Sequence, residues 1–224
     1  MRKLWLIFAI ITFISCKKDA SNSLHFNQIL ILGNSITIHP PAPSIGWFGN
    51  WGMAASSRDK DFAHIIGATL NTRVDPVNLS EWEALGMRYD LTKLIPYFKS
   101  KPDLVIIRMG ENINDIANLK MALGVLIDYI KIQNPKARLI ITGRFWRNDE
   151  IDDILSLHAM ESNIPFVKLN QLELGENVSF IGANIIGEDG LSHPIIDQGI
   201  ANHPGDLGMR RIADCILAEI YKMK

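Results

Sequence analysis

The feature that most constrains this chain is a set of short apolar runs separated by stretches of helical period. "QILILGN" (28–34), "PDLVIIRMG" (102–110), "ARLIITG" (137–143) and "PFVKLN" (165–170) each read as a strand. Strands that lack polar alternation are covered on both faces, which is the situation of a parallel sheet. Helices are expected between and after them, over 59–71, 90–100, 115–134, 149–163 and 205–222. The first turn of "DEIDDILSLHAMESN" (149–163) is acidic, which suits the helix dipole. "TRVDPVNLS" (72–80) alternates, and Pro76, having no N–H, either weakens that strand or puts it at an edge. Alternating strands and helices predict an α/β domain with a five-stranded parallel sheet between helical layers. The 224 residues are 47% hydrophobic, enough for one large core.

In such sheets ligand sites lie beyond the carboxyl ends of the strands. Three polar residues occupy places of that kind. Ser35 follows the first run, Asn112 follows the "LVII" run, and His203 precedes the last helix in "ANHPGDLGM". A serine after a strand is a common helix cap, and asparagine is a common turn residue. Together the three suit nucleophilic acyl transfer. A hydroxyl needs a base within hydrogen-bond reach, and histidine serves best near neutral pH. An oxyanion needs fixed donors, which the Ser35 N–H at a strand-to-helix turn and the Asn112 amide supply.

The remaining composition narrows the choice of partner. A formal net charge of -1 gives no basic footprint for nucleic acid. No glycine-rich phosphate loop follows the first strand, which argues against nucleotide binding. His25, His39, His64 and His158 fit no ligand spacing, so neither metal nor cofactor is expected. Cys215 lies in a helical pattern and reads as a small core residue.

The start of the chain reads as a targeting segment. "MRKLWLIFAIITFISC" has a basic head and an apolar run over residues 4–14, short against the about 20 residues of a membrane span. "FISC" resembles the processing site of bacterial lipoproteins. That resemblance implies a signal peptide over 1–15, lipidation of Cys16, a tether over 16–26 and a catalytic domain over 27–224, held at the cell envelope by its lipid.

"ILILGNSIT", "PDLVIIRMGENIND" and "HPGDLGMRRIAD" together resemble blocks of the SGNH (GDSL-like) hydrolases. Asn34 stands where that family usually has Asp. The resemblance spans residues 28 to 222. It implies a flavodoxin-like three-layer α/β/α domain and metal-independent hydrolysis of carboxylic esters through an acyl-enzyme. Ser35 would be the nucleophile, His203 the base, and Asn112 with the Ser35 N–H the oxyanion donors.

Two departures from the family pattern matter. No glycine falls where the family has one after the second strand, Gly86 coming too late, so the further backbone donor is assigned to Ser80, with Asn78 or Glu83 as alternatives lining the site. Ile200 stands where the triad acid belongs. Asp197 is assigned that part, with Glu188, Asp189 or a backbone carbonyl as alternatives. His193, four residues after Asp189, is a rival base, but only His203 has the family's spacing to Gly208 and the following helix.

The irregular stretches 37–58 and 171–204 are expected to be ordered and to form the site. Trp47 and Trp51 suit sugar faces or acyl chains, and with Glu83 and Glu111 they are the expected substrate contacts. The substrate so implied is a small-molecule or glycan ester, with acetylated carbohydrate foremost. A surface glycan-binding protein on the same scaffold, impaired in catalysis, is the alternative.

Overall fold

The computed structural model describes residues 25–169 and 171–223. The expected signal segment and Cys16 lie outside them. Five strands form one parallel sheet: β1 (Gln28–Gly33), β2 (Arg73–Asn78), β3 (Leu104–Ile107), β4 (Arg138–Thr142) and β5 (Phe166–Val167), in the order β2-β1-β3-β4-β5. This is the flavodoxin-like order, with its switch point between β1 and β3. The expected α/β architecture and five-stranded sheet are therefore observed.

Strand periodicity divides the core in two. Ile29, Ile31, Leu104, Ile106 and Ile140 face one side, where α1 (Phe62–Leu70) packs together with the last long helix, α7 (Asp206–Ile220). Leu30, Leu32, Val105, Ile107 and Ile141 face the other. That side is covered by α2 (Ser80–Leu85), α3 (Ile95–Phe98), α4 (Leu119–Gln133) and α5 (Asp149–Glu161).

Several boundaries depart from expectation for local reasons. Asp61 caps α1 by accepting from the His64 N–H at 2.7 Å, so the helix begins after the charged "DKD" turn. Asn118 folds back on Asp115, which delays α4 to Leu119. Phe26, placed in the expected tether, is buried in the core. β2 lies at the sheet edge, as Pro76 requires. The 171–204 stretch holds structure that no periodicity announced: an antiparallel pair β6 (Asn184–Ile186) and β7 (Ser192–Pro194), then the single-turn helix α6 (Gln198–Ala201).

The end of β1 admits only glycine. A Cβ on Gly33 would lie 1.9 Å from Thr37 Oγ1 and 2.9 Å from the Arg108 carbonyl. Gly33→Ala is therefore expected to destabilise the fold by about 1–3 kcal/mol through overpacking. Urea unfolding should show a lower midpoint with an unchanged slope.

Candidate active site

Past Gly33 the chain makes a tight turn in which the Asn34 carbonyl accepts from the N–H groups of Thr37 and Ile38 at 2.9 and 3.0 Å. No α-helix follows directly, because α1 begins at Phe62. Ser35 is thus not a helix cap and its turn is not a strand-to-helix turn. Its carbonyl accepts from the Met53 N–H at 2.9 Å, which pins the turn to the 37–58 stretch. Ser35 Oγ lies 2.8 Å from His203 Nε2, so the fold joins residues 168 positions apart.

The other side of the imidazole meets a backbone oxygen. His203 Nδ1 is 2.7 Å from the Gly199 carbonyl. A carbonyl can only accept, so Nδ1 is assigned the proton and Nε2 is left as acceptor toward the Ser35 hydroxyl. The Gly199 oxygen is available because α6 is so short. Neighbouring carbonyls are occupied, Asp197 by Ala201 N–H, Gln198 by Asn202 N–H and Ile200 by His203 N–H. Trp146 stands edge-on to the imidazole at 5.1 Å and donates Nε1–H to the Asn202 carbonyl. Burial pushes the His203 pKa down to about 4, the Gly199 bond opposing. The ring is therefore neutral at pH 7, with Nε2 free to accept.

Asp197 does not hold the ring. Its carboxylate accepts from the Ile200 N–H at 3.0 Å and caps α6. Asp189 pairs with the rival His193 at 2.9 Å, and that imidazole stacks on Phe48 with 3.7 Å between ring centroids. Of the alternatives for orienting His203, the backbone carbonyl is the one in contact.

A buried polar cluster underlies the dyad. Arg108, with no exposed surface, grips Glu111 through two bonds of 2.7 and 3.0 Å and donates to Asn34 Oδ1 at 2.9 Å. The Phe145 N–H also donates to Glu111, at 2.8 Å. Asn34 Nδ2 bridges Glu111 at 2.6 Å and Glu83 at 3.1 Å. Glu83 further accepts from Gly110 N at 2.5 Å and Asn112 Nδ2 at 2.6 Å. Burial and the Glu111 charge raise the Glu83 pKa. Burial also acts to raise Glu111, but the Arg108 charge and the donors on it hold it below the usual range. The two carboxylates thus separate as close like charges must.

The four expected substrate contacts lie inside the protein. Trp47 is fully buried and donates to the His39 carbonyl, and Trp51 is buried and donates to the Ala55 carbonyl. Both belong to the core beneath the 37–58 stretch, where apolar rings fill volume beside small residues. Glu83 and Glu111 serve the cluster. The Ser80 N–H, expected to face an oxyanion, donates instead to Asn78 Oδ1 at 2.9 Å, and Asn78 Nδ2 reaches the Ile38 carbonyl. Asn112 is exposed beside the cluster, with Nδ2 on Glu83. Among the described residues no group of three or more His, Cys, Asp or Glu is arranged to hold a metal ion.

Sequence reasoning missed Trp146 and Gly199. Trp146 follows β4 in "TGRFW", so the strand-end rule reaches it. Gly199 acts through its carbonyl, which no residue letter marks.

No family model and no curated protein sequence matches the chain. Solved structures match its fold. A family two carbohydrate esterase from Clostridium thermocellum, in complex with cellohexaose, matches with TM-score 0.55 and 18% identity over 88% of this chain. The chain spans 64% of the length of that esterase. A GDSL-like lipase, so described, from Bacteroides ovatus matches with TM-score 0.58 and 15% identity, covering 89% of this chain and 100% of the other. The psychrotrophic esterase EstA from Pseudoalteromonas sp., in a structure inhibited by monoethylphosphonate, matches with TM-score 0.53 and 14% identity, covering 88% and 98%. At these identities the likeness is one of fold, shared with a carbohydrate esterase, a GDSL-like lipase and an esterase.

Because burial disfavours its charged form, protonating His203 costs stability. Stability is expected to be full above the unfolded pKa of about 6.5 and to fall as pH drops toward about 4. An NMR titration should place the His203 ring near 4, and His203→Gln should remove that share of the stability loss.

Proposed function

We propose that the protein is a serine esterase that deacylates carbohydrate esters through an acyl-enzyme on Ser35. The observation that carries this reading is the 2.8 Å contact of Ser35 Oγ with a neutral His203 Nε2, held from behind by the Gly199 carbonyl. Two groups positioned this way are the minimum for activating a hydroxyl.

In the proposed reaction Ser35 Oγ attacks the ester carbonyl and its proton passes to His203 Nε2. The developing oxyanion faces the Ser35 N–H and the Asn112 amide. Each such donor is typically worth roughly 2.7–4 kcal/mol. The C–O bond then breaks, and the alcohol leaves with the proton from Nε2. Water, deprotonated by the same nitrogen, attacks the acyl-enzyme; the acyl C–Oγ bond breaks, Nε2 returns the proton to Ser35 Oγ, and the acid leaves. During both steps the imidazolium is stabilised by the Gly199 dipole through Nδ1–H, in place of a carboxylate.

Support for carbohydrate as the alcohol part comes from the name of the Clostridium thermocellum neighbour. The anchor at Cys16 that the "FISC" resemblance implies would hold such an enzyme at the cell envelope. The chain enters where Phe26 O meets Thr72 Oγ1, beside the start of β1, and Ser35 lies past the far end of that strand, about 20 Å on.

Ser35→Ala is expected to abolish hydrolysis of 4-nitrophenyl acetate, and full retention would sink the mechanism. A fluorophosphonate should label Ser35 and fail to label His203→Ala. A surface protein that binds glycans without turnover would show neither. Asp197→Asn separates a cap from a triad acid, because asparagine caps helices as well as aspartate does. Activity within about threefold is expected. A fall of about 10⁴ would mark Asp197 as the acid.

A further inference from the structure

We propose that Glu83 is the positioning residue for the oxyanion donor, its carboxylate fixing which end of the Asn112 amide is presented to substrate. The proposal rests on the serine-esterase reading. An asparagine amide has two ends of similar shape and opposite polarity, and its orientation is set by what it faces. A carboxylate only accepts, so Glu83 Oε2 at 2.6 Å takes one N–H of Asn112 Nδ2, and the second N–H of that nitrogen is the one left for the oxyanion. The other oxygen, Oε1, takes the Gly110 N–H at 2.5 Å and Asn34 Nδ2 at 3.1 Å. Gly110 has φ +138°, a conformation favouring glycine, and this turn aims the segment that carries Asn112. One buried side chain, 1% exposed, therefore ties the turn of the nucleophile to the turn of the donor.

Stability alone does not account for a carboxylate here. An ionised group out of water is costly, and the charge of Glu111 adds repulsion. The nearby cation, Arg108, makes its ion pair with Glu111 instead. A glutamine at 83 would accept equally well from Gly110 and Asn34 through its carbonyl. Only at Asn112 would it fail, because its amide nitrogen would face Nδ2. What the negative charge contributes, then, is the orientation of Asn112.

The experiment is a double-variant cycle of Glu83→Gln and Asn112→Ala, measuring kcat and KM separately on 4-nitrophenyl acetate. Glu83→Gln is expected to lower kcat by about tenfold or more while KM stays within about twofold. Added to Asn112→Ala, it should cost no more than about threefold further, since the group it positions is gone. Full kcat in Glu83→Gln, or losses that multiply in the double variant, would overturn the positioning role. If Glu83→Gln does not fold, the cycle is run with Glu83→Asp, which keeps the charge and shortens the reach, and the same two outcomes decide. Full activity of Ser35→Ala defeats the esterase reading itself. Dependence on Ser35 with multiplying losses at Glu83 and Asn112 defeats the positioning role alone.

Discussion

A guanidinium with no exposed surface, Arg108 at the end of β3, holds the catalytic face together. A charge in that position is tolerable when its partner is close. Glu111 meets Nη1 and Nη2 with its two oxygens and Asn34 accepts from Nη1, while Nε has no partner among the described residues. The Phe145 N–H closes the far side of Glu111 from the segment after β4. The ends of β1, β3 and β4 are therefore joined by charged hydrogen bonds in a low-dielectric setting, where geometry is tightly enforced. The turn of Ser35 inherits its rigidity from this, because Asn34 is its immediate neighbour.

The helical cap of α6 and the support of His203 come from one four-residue turn. Asp197 stabilises its amino end, and the Gly199 carbonyl projects from it to the imidazole. A carbonyl dipole orients the ring and selects its tautomer as a carboxylate does. It offers less to the imidazolium, since a dipole carries no net charge. The consequence is visible in the low pKa of His203, about 4, where burial outweighs the Gly199 bond. Such a base is fully neutral at pH 7 but is driven less strongly to take a proton.

Much of the fold was legible because it rests on periodicity. The runs "QILILG", "LVII" and "RLIIT" carry no polar alternation, and only a sheet covered on both faces accepts that. Ser35, Asn112 and His203 were legible because parallel topology brings strand ends to one rim. Glu83, Glu111, Trp47 and Trp51 were misjudged for a common reason. Charged and aromatic letters near a site look like substrate contacts, whereas burial depends on packing between segments distant in sequence. The Arg108–Glu111 pair makes this concrete. Its spacing of three residues shows that the two can meet, but not that they do so beneath the surface. The Gly199 carbonyl was the least legible, since every residue has one and only the length of α6 leaves this one free.

The charge beneath the dyad bears on how a site without a triad acid works. Glu83 and Glu111 carry two carboxyl groups against the single cation of Arg108. Glu111 favours the protonated form of His203 more than Arg108 disfavours it. A charge fixed in the protein interior acts over several ångströms without contact, because little solvent screens it. Glu111 thus acts on the ring in the direction a triad carboxylate would, without touching it, although burial still sets the balance. The price of that arrangement is the raised pKa of Glu83, whose ionised form beside Glu111 is the one that offers an acceptor to Asn112 as well as to Gly110. Three hydrogen-bond donors on one carboxylate act against that rise.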